Sequence, residues 1–203
     1  MSNTPTHWDS TYSAKGDKVS WHQDDPRRSL EMIRAASPNL DAPIIDIGAG
    51  ASRLADHLLM AGYSELTLLD LSAVALDSTR QRVGDLSKKV SWITADVTHW
   101  QPSLHYAVWH DRAVFHFLTD GAAQDAYIAA LTQGTKPGSS VVIATFALTG
   151  PEKCSGLPVQ RYSATTLAAR LGPAFMLYTR AHEIHHTPFG TTQDFIYAGF
   201  NRR

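Results

Sequence analysis

Residues 43 to 70 read PIIDIGAGASRLADHLLMAGYSELTLLD. The apolar run PIIDI is the length of a buried strand, and it runs straight into the glycine-rich GAGAS. Leu54, Leu58 and Leu59 then fall at helical spacing, and Gly62 is a helix stop. LTLLD is a second strand. Strand, glycine loop, helix and strand make the start of a βαβ unit. Its loop lies at the carboxyl end of the first strand, where open α/β sheets bind ligands.

The same rhythm continues outward. SAVALDSTRQRV reads as a helix capped by Ser72, VSWITAD as a third strand and YAVWHD as a fourth. A helix follows around AAQDAYIAALTQ. KPGSSVVIATF is a turn and a fifth strand, and SATTLAARLG a helix stopped by Gly172 and Pro173. Alternating strands and helices predict an α/β, doubly wound, mostly parallel sheet covered on both faces. AFMLYTRAHEIHHT and TTQDFIYAGFNR break the rhythm. Joined by PFG with no helix between, they predict an antiparallel hairpin at one edge, which makes seven strands. Upstream of Pro43 the chain is polar, with scattered aromatics at Trp8, Tyr12 and Trp21. Pro26 opens a helix there, with Asp25 as N-cap and Leu30 and Ile33 on its inner face.

Composition narrows the function classes. A chain of 203 residues, 43% hydrophobic, is one ordered domain with a real core. A net charge of -1 argues against nonspecific nucleic-acid binding. The single cysteine, Cys154, excludes an internal disulfide. No apolar run approaches the ~20 residues of a membrane span, and the N-terminus has no apolar signal core. The expectation is a soluble, cytoplasmic protein that binds no membrane.

Two nucleotide-like cofactors compete for the glycine loop. A dinucleotide asks for G-x-G-x-x-G, but Arg53 stands at the third glycine position after Gly48 and Gly50. Asp46, just before the first glycine, is unwelcome beside a pyrophosphate and suits an ammonium group. S-adenosylmethionine (SAM) carries an amino-acid end and a sulfonium. Asp70 closes the second strand, where an acid binds ribose hydroxyls in either cofactor class. Asp96 closes the third, where an acid can accept from an adenine amino group. Three acids ending three successive strands are hard to read as ordinary surface carboxylates.

At these residues the chain resembles the class I SAM-dependent methyltransferases. DIGAG is similar to that family's first motif, LLD to its second, AD to its third, and KPGS, with Ser139 where glycine is common, to a later one. The resemblance runs from about Trp8 to the C-terminus. YSAKGDKVSWHQDDPRRSL, WHDRAVFHFL and CSGLPVQRYS resemble a small bacterial-type branch of that family. One departure is Ala107, where many relatives carry an acid, usually a structural one. The resemblance implies that Asp46, Gly48 and Gly50 hold the methionine end of SAM and Asp70 the ribose. It implies that Asp96 and Val97 hold the adenine, with Leu71 a further cofactor contact. It also implies that residues 1–40 form an N-terminal lid and first helix on a single SAM-binding domain, 41–203. Trp21 and Tyr12 would then cover the sulfonium by cation–π contact, Tyr12 also facing the acceptor.

In such a fold the fourth strand delivers VWHDRAVFHFLTD, residues 108–120, to the reacting centre. His110 and His116 are candidate general bases. Asp111 is suited to orienting a histidine or binding a cationic acceptor, and Arg112 to binding an acidic acceptor. The structural alternatives are an Asp111–Arg112 ion pair and a core histidine at 116. Arg161 and Tyr162, in the loop after strand five, are candidate acceptor contacts. Cys154 has no evident partner, and its default role is none. HEIHHTPFG lacks the H-E-x-x-H spacing, so no metal is expected.

The leading expectation is an enzyme that uses SAM, with S-adenosylhomocysteine (SAH) as product, to methylate a small molecule. A thiol, a related soft nucleophile or a heterocyclic nitrogen would each suit the pocket. A protein methyltransferase acting on lysine or a terminal amine is the alternative, and a non-catalytic SAM-binding protein the third reading. The sequence leaves the oligomeric state open.

Overall fold

Residues 4–37 and 39–203 are described in the computed structural model. Residues 1–3 and 38 of the expected N-terminal segment lie outside them. In chain order the elements are α1 (Pro5–Lys15), α2 (Arg27–Ala36), β1 (Ile44–Ile47), α3 (Leu54–Met60), β2 (Leu66–Asp70), α4 (Ala73–Val83) and β3 (Val90–Thr94). There follow β4 (Val108–Arg112), α5 (Gly121–Gln133), β5 (Ser140–Phe146), the short β6 (Lys153–Cys154) and β7 (Leu157–Pro158), α6 (Ala164–Leu171), β8 (Phe175–His186) and β9 (Thr192–Arg202).

Seven strands form one sheet in the order β3-β2-β1-β4-β5-β9-β8. The first five strands run parallel, and β9 lies antiparallel to both β5 and β8. The closing hairpin is therefore folded so that its second strand meets the core. Phe195, Tyr197, Ala198 and Phe200 of β9 are fully buried, while most of β8 is left at the edge.

Strand alternation assigns each side chain to a layer. On one face Ile45, Ile47, Trp109, Val141 and Ile143 pack with Tyr127 and Leu131 of α5 and Leu167 of α6. On the other, Ile44 and Val108 pack with Leu30 and Ile33 of α2 and with Leu54 and Leu58 of α3. These side chains are buried in both layers, so truncating any one of the large ones to alanine costs about 2–5 kcal/mol.

Two local expectations differ from the structure. Asp25 does not cap α2. Its carboxylate takes Arg27 Nε and Nη2 instead, and Pro26 occupies the cap position without a side-chain bond. The aromatic N-terminal segment contains a full helix, α1, opened by Thr4 and Pro5. Its sequence has no apolar stripe at helical spacing, which is why periodicity misses it. Docking holds it in place. Asp9 Oδ1 accepts from Ser72 Oγ at 2.6 Å, at the start of α4, and His7 Nε2 lies 3.1 Å from Ser155 Oγ between β6 and β7. No described helix is long and apolar enough to cross a membrane.

Candidate active site

The β1 loop is built on two glycines in the left-handed region, Gly48 at φ +65° and Gly50 at φ +53°. Neither tolerates a side chain. A Cβ on Gly48 would stand 2.0 Å from Val114 Cγ2, and one on Gly50 would stand 2.3 Å from Tyr12 Oη. Gly48 N donates to the Leu69 carbonyl at 2.7 Å, tying the loop to β2. Thr79 Oγ1 of α4 donates to the Gly50 carbonyl at 3.1 Å. The loop is held open, with main chain rather than side chains toward the cleft.

Each of the three acids keeps acceptor capacity. Asp70 Oδ2 accepts from Gly50 N at 2.8 Å and Oδ1 from Ser72 N at 2.7 Å, one bond per oxygen. Burial pushes its pKa up to about 6, against the lowering effect of those two N–H groups. Asp96 Oδ1 takes Thr98 N and Oγ1, leaving Oδ2 toward solvent with only His99 Nδ1, at 3.4 Å. Asp46 Oδ1 pairs with His110 Nδ1 at 2.7 Å, and among the described residues its Oδ2 takes no hydrogen bond.

Two cavities lie along the carboxyl ends of the strands. The first runs from Asp70, Leu71, Asp96 and Val97 to an apolar wall of Trp8, Val114, Phe117 and Leu118. The second lies over Asp46, Ser52, His110 and Ser29. Tyr12, Trp21, Gly48 and Arg112 line both, so the two are halves of one cleft joined at those four residues. Trp21 Nε1 donates to Tyr12 Oη at 3.2 Å across the join. Burial holds the Tyr12 hydroxyl well above its usual pKa, with Asp70's charge adding to it, so it stays a neutral phenol.

The HDR tripeptide is split by strand alternation. His110 and Arg112 face the α2 side, and Asp111 faces α5. His110 is 1% exposed and sits between Asp46 and Ser29 Oγ, the latter at 2.9 Å from Nε2. It borders the second cavity and not the first. Asp111 lines neither. Its carboxylate accepts from Val114 N, Phe115 N and Tyr127 Oη at 2.9, 3.1 and 2.7 Å. It neither orients a histidine, binds an acceptor nor pairs with Arg112. Instead it caps the turn in which Ala113 adopts φ +71°, and so fixes Val114 against Gly48.

His116 also lies outside both cavities. Its ring packs on Phe117 and Phe146, and Phe146 N donates to Nδ1 at 3.3 Å. Burial, then the charge of Arg112, pushes its pKa down to about 3, so it is a neutral core histidine. Arg161 is occupied by the Gly150 carbonyl and Glu152. Tyr162 is buried against Phe115 and accepts from Gln124 Nε2 at 3.1 Å. Neither reaches the cleft, because the segment after β7 turns back along β5 toward α5. Cys154 does line the first cavity, where burial pushes its thiol up to about 12. It is an un-ionised wall group.

Sequence reasoning missed Ser29, Trp8 and the Val114–Leu118 wall. Ser29 had a signal, since it stands four residues before the inward-facing Ile33 on the same stripe of α2. Trp8 had none beyond being aromatic.

Residues 44–138 match the family model described as a methyltransferase domain. No curated protein matches the chain in sequence. Several solved structures share its fold. The N-methyltransferase NodS from Bradyrhizobium japonicum WM9, solved with SAH, is 17% identical with a TM-score of 0.68, covering 95% of this chain and 98% of that one. The 1,6-didemethyltoxoflavin-N1-methyltransferase of Burkholderia thailandensis, solved with 1,6-didemethyltoxoflavin and SAH, is 16% identical at 0.69, covering 95% and 80%. A SAM-dependent methyltransferase from Anabaena variabilis ATCC 29413 is 14% identical at 0.75, covering 98% and 93%. At these identities the likeness is one of fold. The glycine loop, the three strand-end acids and the sheet order agree with that fold, and the match to a methyltransferase domain is carried by residues 44–138.

Proposed function

We propose that the protein is a SAM-dependent methyltransferase that acts on a small molecule, held in the apolar half of the cleft beneath α1. SAM supplies a methyl group on a positive sulfur, which a nucleophile displaces in line. The residues present fit it. Asp70 keeps one free acceptor position on each oxygen for ribose hydroxyls, and Asp96 lines the same half of the cleft for an amino group. Leu71 and Val97 wall that half. Asp46 Oδ2 is open for an ammonium group beside the Gly48 main chain. Tyr12 and Trp21, at the join, offer ring faces to a sulfonium.

The observation that carries the small-molecule reading is the roof. Trp8, Tyr12 and Trp21 close over the cleft in edge-to-face contact with one another and with Phe117, at centroid distances of 5.2 to 6.2 Å. A side chain presented on another protein would have to displace α1, whereas a free small molecule fits beneath it. Among the neighbours, the Burkholderia enzyme is one crystallised with a small heterocycle.

Among the described residues, no histidine lines the first cavity. The residues therefore favour transfer by alignment and exclusion of water, with an acceptor already nucleophilic at neutral pH. The test is transfer of labelled methyl from SAM into cell extract divided into small-molecule and protein fractions. Label in the small-molecule fraction, unaffected by prior protease treatment, is the expected result. Label confined to protein and lost after protease treatment would replace this reading with the protein-methyltransferase one.

A further inference from the structure

Arg112 is a part-buried cation with one buried nitrogen left over. Its Nε donates to Tyr197 Oη and its Nη1 to the Trp21 carbonyl, both at 3.0 Å. Its guanidinium carbon lies 4.4 Å from the centroid of Phe195. Nη2 is buried with no hydrogen-bond partner. No ion pair among the described residues includes Arg112. Glu183 touches this group only through the Tyr197 phenol, at 3.4 Å, and its Oε1 also accepts from Gln23 at 2.9 Å. Leaving a buried guanidinium nitrogen without an acceptor is costly unless a ligand supplies one.

The group is also pre-positioned. Two hydrogen bonds and a stacked ring fix its plane, so little side-chain entropy remains to be lost when an anion binds. It stands where the two halves of the cleft join, beside an apolar wall of Trp8, Phe117, Val114 and Leu118. That combination suits a flat apolar body bearing one negative group. A sulfonium at the same join adds a second positive charge, which disfavours a cationic amine there.

We propose that Arg112 is the acceptor-recognition residue of this enzyme and selects an aromatic or heteroaromatic carboxylate, whose oxygen takes the free Nη2. The proposal rests on the small-molecule reading above. Tyr197 is a positioning residue, acting through Arg112.

Calorimetric titration of the SAH-saturated protein with benzoate and with benzamide, its uncharged isostere, tests this directly. Benzoate is expected to bind at least tenfold more tightly than benzamide. Arg112→Gln should abolish that preference and change SAH affinity less than threefold. Tyr197→Phe, which keeps the cation and removes one clamp, should weaken benzoate several-fold and leave benzamide unchanged. It serves as the deciding variant if Arg112→Gln does not fold. Equal binding of the two probes to the wild type overturns the proposal. So does a tenfold loss of SAH affinity in Arg112→Gln with adenosine affinity intact, which would assign Nη2 to the donor's carboxylate. Absence of SAH binding to the wild type would instead overturn the donor-site reading. Methyl transfer confined to protein would break the small-molecule reading, while the probe pair still decides the anion preference of Arg112.

Discussion

His110 and Asp111 are neighbours in the chain and face opposite sides of the sheet. His110 pairs with Asp46 under α2, while Asp111 takes the Tyr127 hydroxyl on the α5 side, at 2.7 Å in each case. One residue of strand register therefore separates a group bordering the cleft from one that holds its wall in place.

Asp111→Ala should destabilise the protein by about 3 kcal/mol, because it leaves two main-chain N–H groups and a buried hydroxyl without their acceptor. Urea unfolding measures this. A folded Asp111→Asn variant should keep SAH affinity within a few-fold, which a ligand-contacting carboxylate would not allow.

SAM affinity should fall as pH drops through about 6, where Asp70 takes up a proton and loses an acceptor position for ribose. Asp70→Asn should bind weakly and lack this inflection. The sign for the free protein is opposite. Asp70 has its pKa raised by folding, so its contribution to stability is present below its ordinary range and lost as pH rises toward 6. Calorimetric affinity between pH 5 and 8 reads the first effect, and urea unfolding between about pH 4 and 7 reads the second.

Gly48→Ala should reduce SAM affinity by tenfold or more, since its methyl group would collide with Val114. Adding Val114→Ala should recover part of the loss. The remainder, about 1 kcal/mol, belongs to the left-handed backbone, which alanine adopts at a cost. Full recovery would mean that the clash alone makes Gly48 necessary.

Asp9→Ala removes the hydrogen bond that Ser72 Oγ makes to α1. It should accelerate SAH release by several-fold, read as Trp fluorescence in stopped flow, with little change in global stability. An unchanged release rate would mean that α1 does not gate the cleft.

His116→Asn should retain activity within a few-fold and leave the pH profile unmoved. Burial already keeps the wild-type ring neutral across the working range. Loss of an acidic limb from that profile would restore His116 as a base.

Sheet topology and the glycine loop were legible because each depends on local pattern. DIGAGAS needed its glycines and its preceding acid, and Asp70 and Asp96 were found by their places at strand ends. The acceptor half was less legible because it depends on which way side chains point across packed layers. His110, Asp111 and Arg112 looked like one cluster until alternation divided them. His116 and Tyr162 carry polar groups that the core satisfies or neutralises. Arg161 is taken by its own loop. Trp8 reaches the cleft because α1 is docked by contacts distant in sequence, among them Asp9 with Ser72, 63 residues apart.

The most direct test of the account is calorimetric titration of the purified protein with SAH, with NAD as the competing cofactor class, repeated on Asp70→Ala. The account predicts one saturable SAH site, no NAD binding, and a loss of SAH affinity of a hundredfold or more in the variant. SAH affinity that is absent, or indifferent to Asp70→Ala, would contradict it.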